Sequence, residues 1–207
     1  MSRVIAEFSG LRWRLRYLWS CPDVSTIYDS ALRNPFRQFL AEVVALPQPQ
    51  SVLDVGCGFG ADLFLISVLL PRARLFGFDI NPRVVALGND ELDARGATNV
   101  CLVKHSVYRM HDLIPRFGTI MSNASLMYVP SRRIRSVLSR LCSFSDRLVL
   151  CELQGSERVF HSKYVHDYVG FFESIGWDVW VHSTRLARGD SLGSDWGRFG
   201  AIVEATA

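Results

Sequence analysis

The chain has 207 residues, 49% of them hydrophobic and 21% charged, and a formal net charge of +3. This composition supports a sizeable core and excludes wholesale disorder, and the length suits one domain with a helical extension at most. So mild a positive charge argues neither for nor against a polyanionic partner.

Cys21, Cys57, Cys101, Cys142 and Cys151 are odd in number and form no C-x-x-C pair. They read as reduced thiols of a cytoplasmic protein, not as a disulfide frame or a zinc site. His161 and His166 are five apart, so they lack the helix-face spacing of a ligand pair, and no metal is expected. Arginines interrupt the first twenty residues where a secretory segment needs an apolar run. The longest mainly apolar stretch, Leu63 to Leu70, is less than half of the ~20 residues that span a bilayer, so no transmembrane segment is expected.

In chain order, residues 11–19 alternate arginine with leucine, tryptophan and tyrosine. Leu11, Leu15 and Leu18 can form one face of an ordinary packed helix. Contact of this stretch with an anionic membrane surface or nucleic acid is the alternative. Residues 24–46 show helical spacing, with Asp23 or Ser25 as caps and Asn34-Pro35 dividing two helices. Pro47-Gln48-Pro49 then breaks the second helix.

Val52 to Val55 is an apolar strand that runs into Gly56-Cys57-Gly58-Phe59-Gly60. Glycines lack Cβ, so such a loop turns sharply and lets a ligand approach the backbone. Ala61 to Leu70 suits a packed helix, and Leu75 to Ile80 is a second short strand that delivers Asp79 near its end. An acid about 20 residues after the glycines can accept hydrogen bonds from both ribose hydroxyls.

Gly56, Gly58 and Ala61 also satisfy a relaxed dinucleotide fingerprint, so glycine spacing alone leaves an NAD(P)-binding oxidoreductase open. Asp54 beside the loop suits a cationic ligand better than a pyrophosphate. The length also leaves no room for the second catalytic domain that most nicotinamide enzymes carry.

Asp54, the glycine-alternating loop and Asp79 together resemble the class I methyltransferases that use S-adenosylmethionine. The resemblance implies a three-layer α/β sandwich whose seven-stranded, mostly parallel sheet ends in an antiparallel hairpin. Residues 1–46 would form an N-terminal helical cap, part of the same domain, and residues 47–207 the S-adenosylmethionine-binding unit. It also implies that the glycine loop cups the methionine part, that Asp54 supports the loop and the amino group, and that Asp79 takes the ribose. Cofactor contacts are then expected from Asp54, Gly56, Cys57, Gly58, Gly60, Asp79, Ile80, Ser106, Val107 and Asn123. Tyr28 and Arg33 of the cap are candidates for the cofactor carboxylate or the acceptor.

Later segments extend the pattern. Asn81-Pro82 starts a helix to about Ala94, and Asn99 to Val103 is a third strand. Beyond it, where many members of that family place an acid for the adenine amino group, no carboxylate comes before Asp112, so by the resemblance adenine recognition would fall to backbone groups and the Ser106 hydroxyl. Gly118 to Asn123 is a fourth strand, followed by Asn123-Ala124-Ser125-Leu126 where amide- and base-methylating relatives carry Asn-Pro-Pro-Tyr. Ser131 to Leu141 is a helix, Arg147 to Leu153 a fifth strand and Tyr164 to Ile175 another helix. Trp177 to Ser183 and Phe199 to Ala205 form the closing strands around a polar loop, residues 187–197.

No residue declares itself as a general base. His105, His111 and Tyr128 are candidates by position only, and His161 and His166 lie near the last helix. The expected acceptor is a small molecule, because no strong basic stripe or appended binding domain is present. A non-catalytic S-adenosylmethionine-binding scaffold is the remaining alternative.

Overall fold

The computed structural model describes Trp13, residues 22–112, 116–160 and 163–182, Trp196 and residues 198–207. Helix α1 (Val24–Arg33) starts where the Asp23 carboxylate accepts from the Ser25 N–H at 3.1 Å. Asn34 both ends α1 and caps α2 (Pro35–Ala45), its side-chain oxygen accepting from the N–H groups of Phe36 and Arg37. Pro35 fits there because the first helical turn has no use for its missing N–H.

Strands and helices then alternate: β1 (Ser51–Val55), α3 (Ala61–Leu69), β2 (Arg74–Asp79), α4 (Pro82–Ala94), β3 (Val100–Lys104), β4 (Thr119–Asn123), α5 (Ser131–Phe144) and β5 (Arg147–Leu153). A small hairpin, β6 (Arg158–Phe160) and β7 (Lys163–Val165), precedes α6 (Tyr168–Glu173), β8 (Asp178–His182) and β9 (Gly200–Thr206). The seven-stranded sheet runs β3-β2-β1-β4-β5-β9-β8. Its first five strands are parallel, and β9 pairs antiparallel with both β5 and β8.

All five residues of β1 are buried, as a central parallel strand covered on both faces requires. One face carries Leu40, Val44, Leu63, Ile66, Val84 and Leu92 from α2, α3 and α4. The other carries Ile134, Leu138, Leu141, Tyr168 and Phe172 from α5 and α6. The result is the expected three-layer α/β sandwich with an antiparallel end. Arg147 ties α2 to it, donating to the carbonyls of Val43 and Val44 while pairing with Glu204 at 2.8 Å.

The expected helix from Tyr164 to Ile175 is shorter and begins later. Lys163, Tyr164 and Val165 pair with β6 as a strand, and Asp167 then caps α6 by accepting from the Gly170 N–H at 2.9 Å. Tyr164 and Val165, an aromatic and a β-branched residue outside the cap, explain the shift. Helix α5 runs on to Phe144, and no side chain caps its start at Pro130.

Candidate functional site

The carboxyl ends of β1, β2, β3 and β4 open into a cavity of about 800 Å³. Asp54, Gly56, Cys57, Gly58, Asp79, Ile80, Ser106, Val107 and Asn123 all line it. Ligands of open α/β sheets sit at this end of the strands. Gly60 is not among the lining residues. It has φ +85° at the start of α3, and a Cβ there would press on the Leu102 side chain at 2.8 Å.

The glycine loop is held from β2, the Gly56 and Cys57 N–H groups both donating to the Phe78 carbonyl at 2.8 and 3.0 Å. Gly56 has φ +78°, and the Ser125 side chain fills the space where its Cβ would stand. Gly58 also has a positive φ, +55°, but a Cβ there would meet only open space. Its N–H donates to Asp79 Oδ2 at 3.2 Å.

Asp79 is buried, and its Oδ1 accepts from the Asn81 N–H at 2.8 Å and from the Trp13 indole N–H at 2.9 Å. Desolvation raises its pKa, while these donors oppose the rise. Asp54 is more extreme. It is 2% exposed, its Oδ1 has no hydrogen-bond partner, and burial pushes its pKa well above the usual carboxylate range, with Asp62 and Asp79 adding to the effect.

Four residues that the sequence did not single out complete the walls and their support. Trp13 faces Asp79. Asp62, in the first turn of α3, accepts from Asn123 Nδ2 at 2.9 Å and lies 3.2 Å from Arg37 Nη1. That ion pair lacks hydrogen-bond alignment, so Asp62 Oδ1 keeps an unmet acceptor. Glu152, at the end of β5, is buried outright and supports the turn after β4. Its Oε1 accepts from the Ser122 hydroxyl and the N–H groups of Ser125 and Leu126, each at 2.8 Å, and its Oε2 from the Met127 N–H at 3.1 Å. Burial raises the Glu152 pKa and the three N–H donors pull it back.

The positional candidates divide. Tyr28 is fully buried, its hydroxyl donating to the Phe59 carbonyl at 2.6 Å, so it supports the loop from behind. Arg33, the last residue of α1, is exposed, and Arg37 of α2 lines the cavity instead. Tyr128 and His105 line the cavity, and His105 commits Nε2–H to the Arg109 carbonyl at 2.9 Å. His166 is buried against the Val129 carbonyl, with its pKa pushed down to about 4 by burial. His161, the His111 side chain and the Asp112 side chain lie outside the described residues, as do residues 11–19 apart from Trp13 and residues 187–197 apart from Trp196. Among the described residues no His, Cys, Asp and Glu cluster is placed to hold a metal, and no helix is long and apolar enough to cross a membrane.

Residues 52–145 match the family model of a methyltransferase domain. The plantazolicin methyltransferase BpumL, solved with S-adenosylhomocysteine, superposes with a TM-score of 0.61 at 15% identity, over 99% of this chain and 97% of that one. Magnesium protoporphyrin IX methyltransferase from Synechocystis PCC 6803, with S-adenosylmethionine bound, gives 0.60 at 19% identity, over 99% and 96%. The chain has the class I methyltransferase fold. In sequence, the trans-aconitate 2-methyltransferase of Streptomyces avermitilis is 30% identical over 125 residues, 56% of this chain and 41% of that protein. Its Escherichia coli K12 counterpart is 28% identical over 109 residues, 53% and 40%. An uncharacterized protein of Rickettsia prowazekii is 25% identical over 121 residues, 56% and 22%. The chain thus spans less than half the length of these relatives. The methyltransferase match covers the glycine loop, Asp79 and the β4 turn, whereas Trp13, Arg37, Glu152 and Trp196 fall outside it.

Proposed function

We propose that the chain is an S-adenosylmethionine-dependent methyltransferase acting on a small-molecule acceptor. The observation that carries this reading is the unpaired Asp54 oxygen at the cavity wall, within one glycine loop of Asp79. A buried carboxylate with no partner is costly, and a cationic ligand group relieves that cost where a pyrophosphate would add to it. Asp54 and Asp62 would hold the ammonium of the methionine part, Arg37 its carboxylate, and Asp79 the ribose. Ile80, Ser106 and Val107 would border the adenine, and Asn123 would face the methyl end.

Bound there, S-adenosylmethionine supplies a methyl group on a positively charged sulfur, already activated for in-line displacement. The protein's part is to align the acceptor and exclude water, which is worth up to ~7–11 kcal/mol. His105 has committed Nε2 to a carbonyl, and His166 is buried against Val129. An acceptor that is nucleophilic without a strong base, such as a carboxylate, thiolate or amine, needs only this alignment. The relatives named for trans-aconitate and magnesium protoporphyrin IX support a small molecule. In this reading residues 1–46 cap the 47–207 unit, supported by α1 and α2 packing on the α3 side. A cytoplasmic location goes with it, supported by the unpaired Cys57, Cys101, Cys142 and Cys151.

A thermal-shift panel of S-adenosylmethionine, S-adenosylhomocysteine, NAD and NADP tests the assignment. At a hundredfold excess over its dissociation constant a ligand stabilises by about 2.7 kcal/mol. Stabilisation by the two sulfur nucleosides alone supports the methyltransferase. Stabilisation by NAD or NADP alone would replace it with an oxidoreductase, and nucleoside binding without transfer to any acceptor would leave a scaffold.

A further inference from the structure

We propose that Trp13 competes with the ribose for Asp79, so that the nucleoside enters by displacing the indole. The inference rests on Asp79 being the ribose acceptor. A carboxylate offers about four lone-pair positions. In this structure Asn81 N–H, Gly58 N–H and the Trp13 indole N–H occupy three of them, and the Ile80 N–H also bears on the same carboxylate. A ribose presents two adjacent hydroxyls, and one remaining position cannot receive both. With the indole gone, the Asp79 oxygen it covered is open to a ribose hydroxyl.

The contact is held from both sides. The indole N–H donates to Asp79 at 2.9 Å, and Asn81 Nδ2 donates to the Trp13 carbonyl at 3.0 Å. Asn81 is itself fixed, because its Oδ1 caps α4 through the Arg83 and Val84 N–H groups. Trp13 also lines the cavity, and Asp79 is only 5% exposed. The indole N–H therefore satisfies a buried charge in the absence of ligand, as a ribose hydroxyl would in its presence. A site occupied in this way binds with an apparent affinity reduced by the fraction of molecules in which the indole is away.

Calorimetric titration of S-adenosylhomocysteine into the wild type, W13F and W13L decides the matter. Both variants lack the indole N–H, and each is expected to bind about tenfold more tightly, equivalent to about 1.4 kcal/mol, while unfolding at a lower temperature without ligand. Equal or weaker binding by the folded variants, with the wild type still binding, overturns the competition and leaves the cofactor assignment intact. Absence of binding by all three proteins overturns both. A second readout follows the indole itself: the Trp13 share of the emission, taken as the wild-type signal less that of W13F, should become more accessible to acrylamide on saturation with S-adenosylhomocysteine. A decrease would mean that the indole closes over the nucleoside, and it would overturn the proposal.

Discussion

The Ser125 side chain occupies the space that a β-carbon on Gly56 would need, joining the loop after β1 to the turn after β4. Ser125 is in turn held by Glu152, which accepts its N–H at 2.8 Å. The glycine loop and the turn after β4 are therefore set by one another, with a carboxylate from β5 behind both.

Gly56→Ala and Gly58→Ala should separate stability from binding. Both residues sit at positive φ, which costs a non-glycine residue about 1–2 kcal/mol. At position 56 the new methyl must also displace Ser125, adding about 1–3 kcal/mol of overpacking. Denaturant unfolding should show the larger loss for Gly56→Ala. Gly58→Ala should unfold closer to wild type yet bind S-adenosylhomocysteine poorly, since its methyl enters open space beside the cavity.

Asp54→Asn should trade binding for stability. The folded-state pKa of Asp54 is raised, so its stabilising contribution is complete below the unfolded value of 3.8 and is lost as pH rises through the folded value. At neutral pH the ligand-free protein carries that loss. The isosteric amide removes it. Thermal unfolding without ligand should give a higher Tm for Asp54→Asn above that window, converging with wild type in acid, while its affinity for S-adenosylhomocysteine falls.

Glu152→Gln should loosen the turn after β4. An amide cannot accept on both sides, so either the Met127 N–H or the group of donors at Oε1 faces an NH₂. A buried donor left unsatisfied costs about 1–3 kcal/mol. The expected result is a lower unfolding midpoint together with weaker S-adenosylhomocysteine binding, because Ser125 shifts against Gly56. Lower stability with unchanged affinity would separate the turn from the glycine loop.

His166 should contribute an acid-sensitive component of stability. Its pKa falls from 6.5 to about 4 on folding, so its contribution is present above 6.5 and is lost as pH drops toward 4. The shift corresponds to roughly 3 kcal/mol. In His166→Gln the pH dependence between these values should be flatter than in wild type, as measured by chemical unfolding at stepped pH.

Much of this site was legible because its residues are close in sequence to their own structural signals. Asp54 and Asp79 end neighbouring strands around a glycine loop, and Asn34 and Asn81 precede prolines at helix starts. Asp62, Arg37 and Glu152 were not legible, since their meaning lies in contacts across the chain. Asn123 meets Asp62 from 61 residues away, and Glu152 holds a turn about 25 residues before it. Arg33 ends α1 and Arg37 lies in the first turn of α2, and only the packing of α2 brings the second to the cavity. The place of Tyr28 was hidden for the same reason: its hydroxyl serves the Phe59 carbonyl behind the loop, a contact without local sequence signal.

The most direct measurement is a calorimetric titration of S-adenosylhomocysteine into the wild-type chain and Asp79→Ala, with NAD titrated in parallel. One S-adenosylhomocysteine per wild-type chain, no measurable binding by Asp79→Ala and no heat from NAD are expected. Binding of NAD in place of the sulfur nucleoside, or S-adenosylhomocysteine binding that survives the loss of Asp79, would contradict the cofactor assignment.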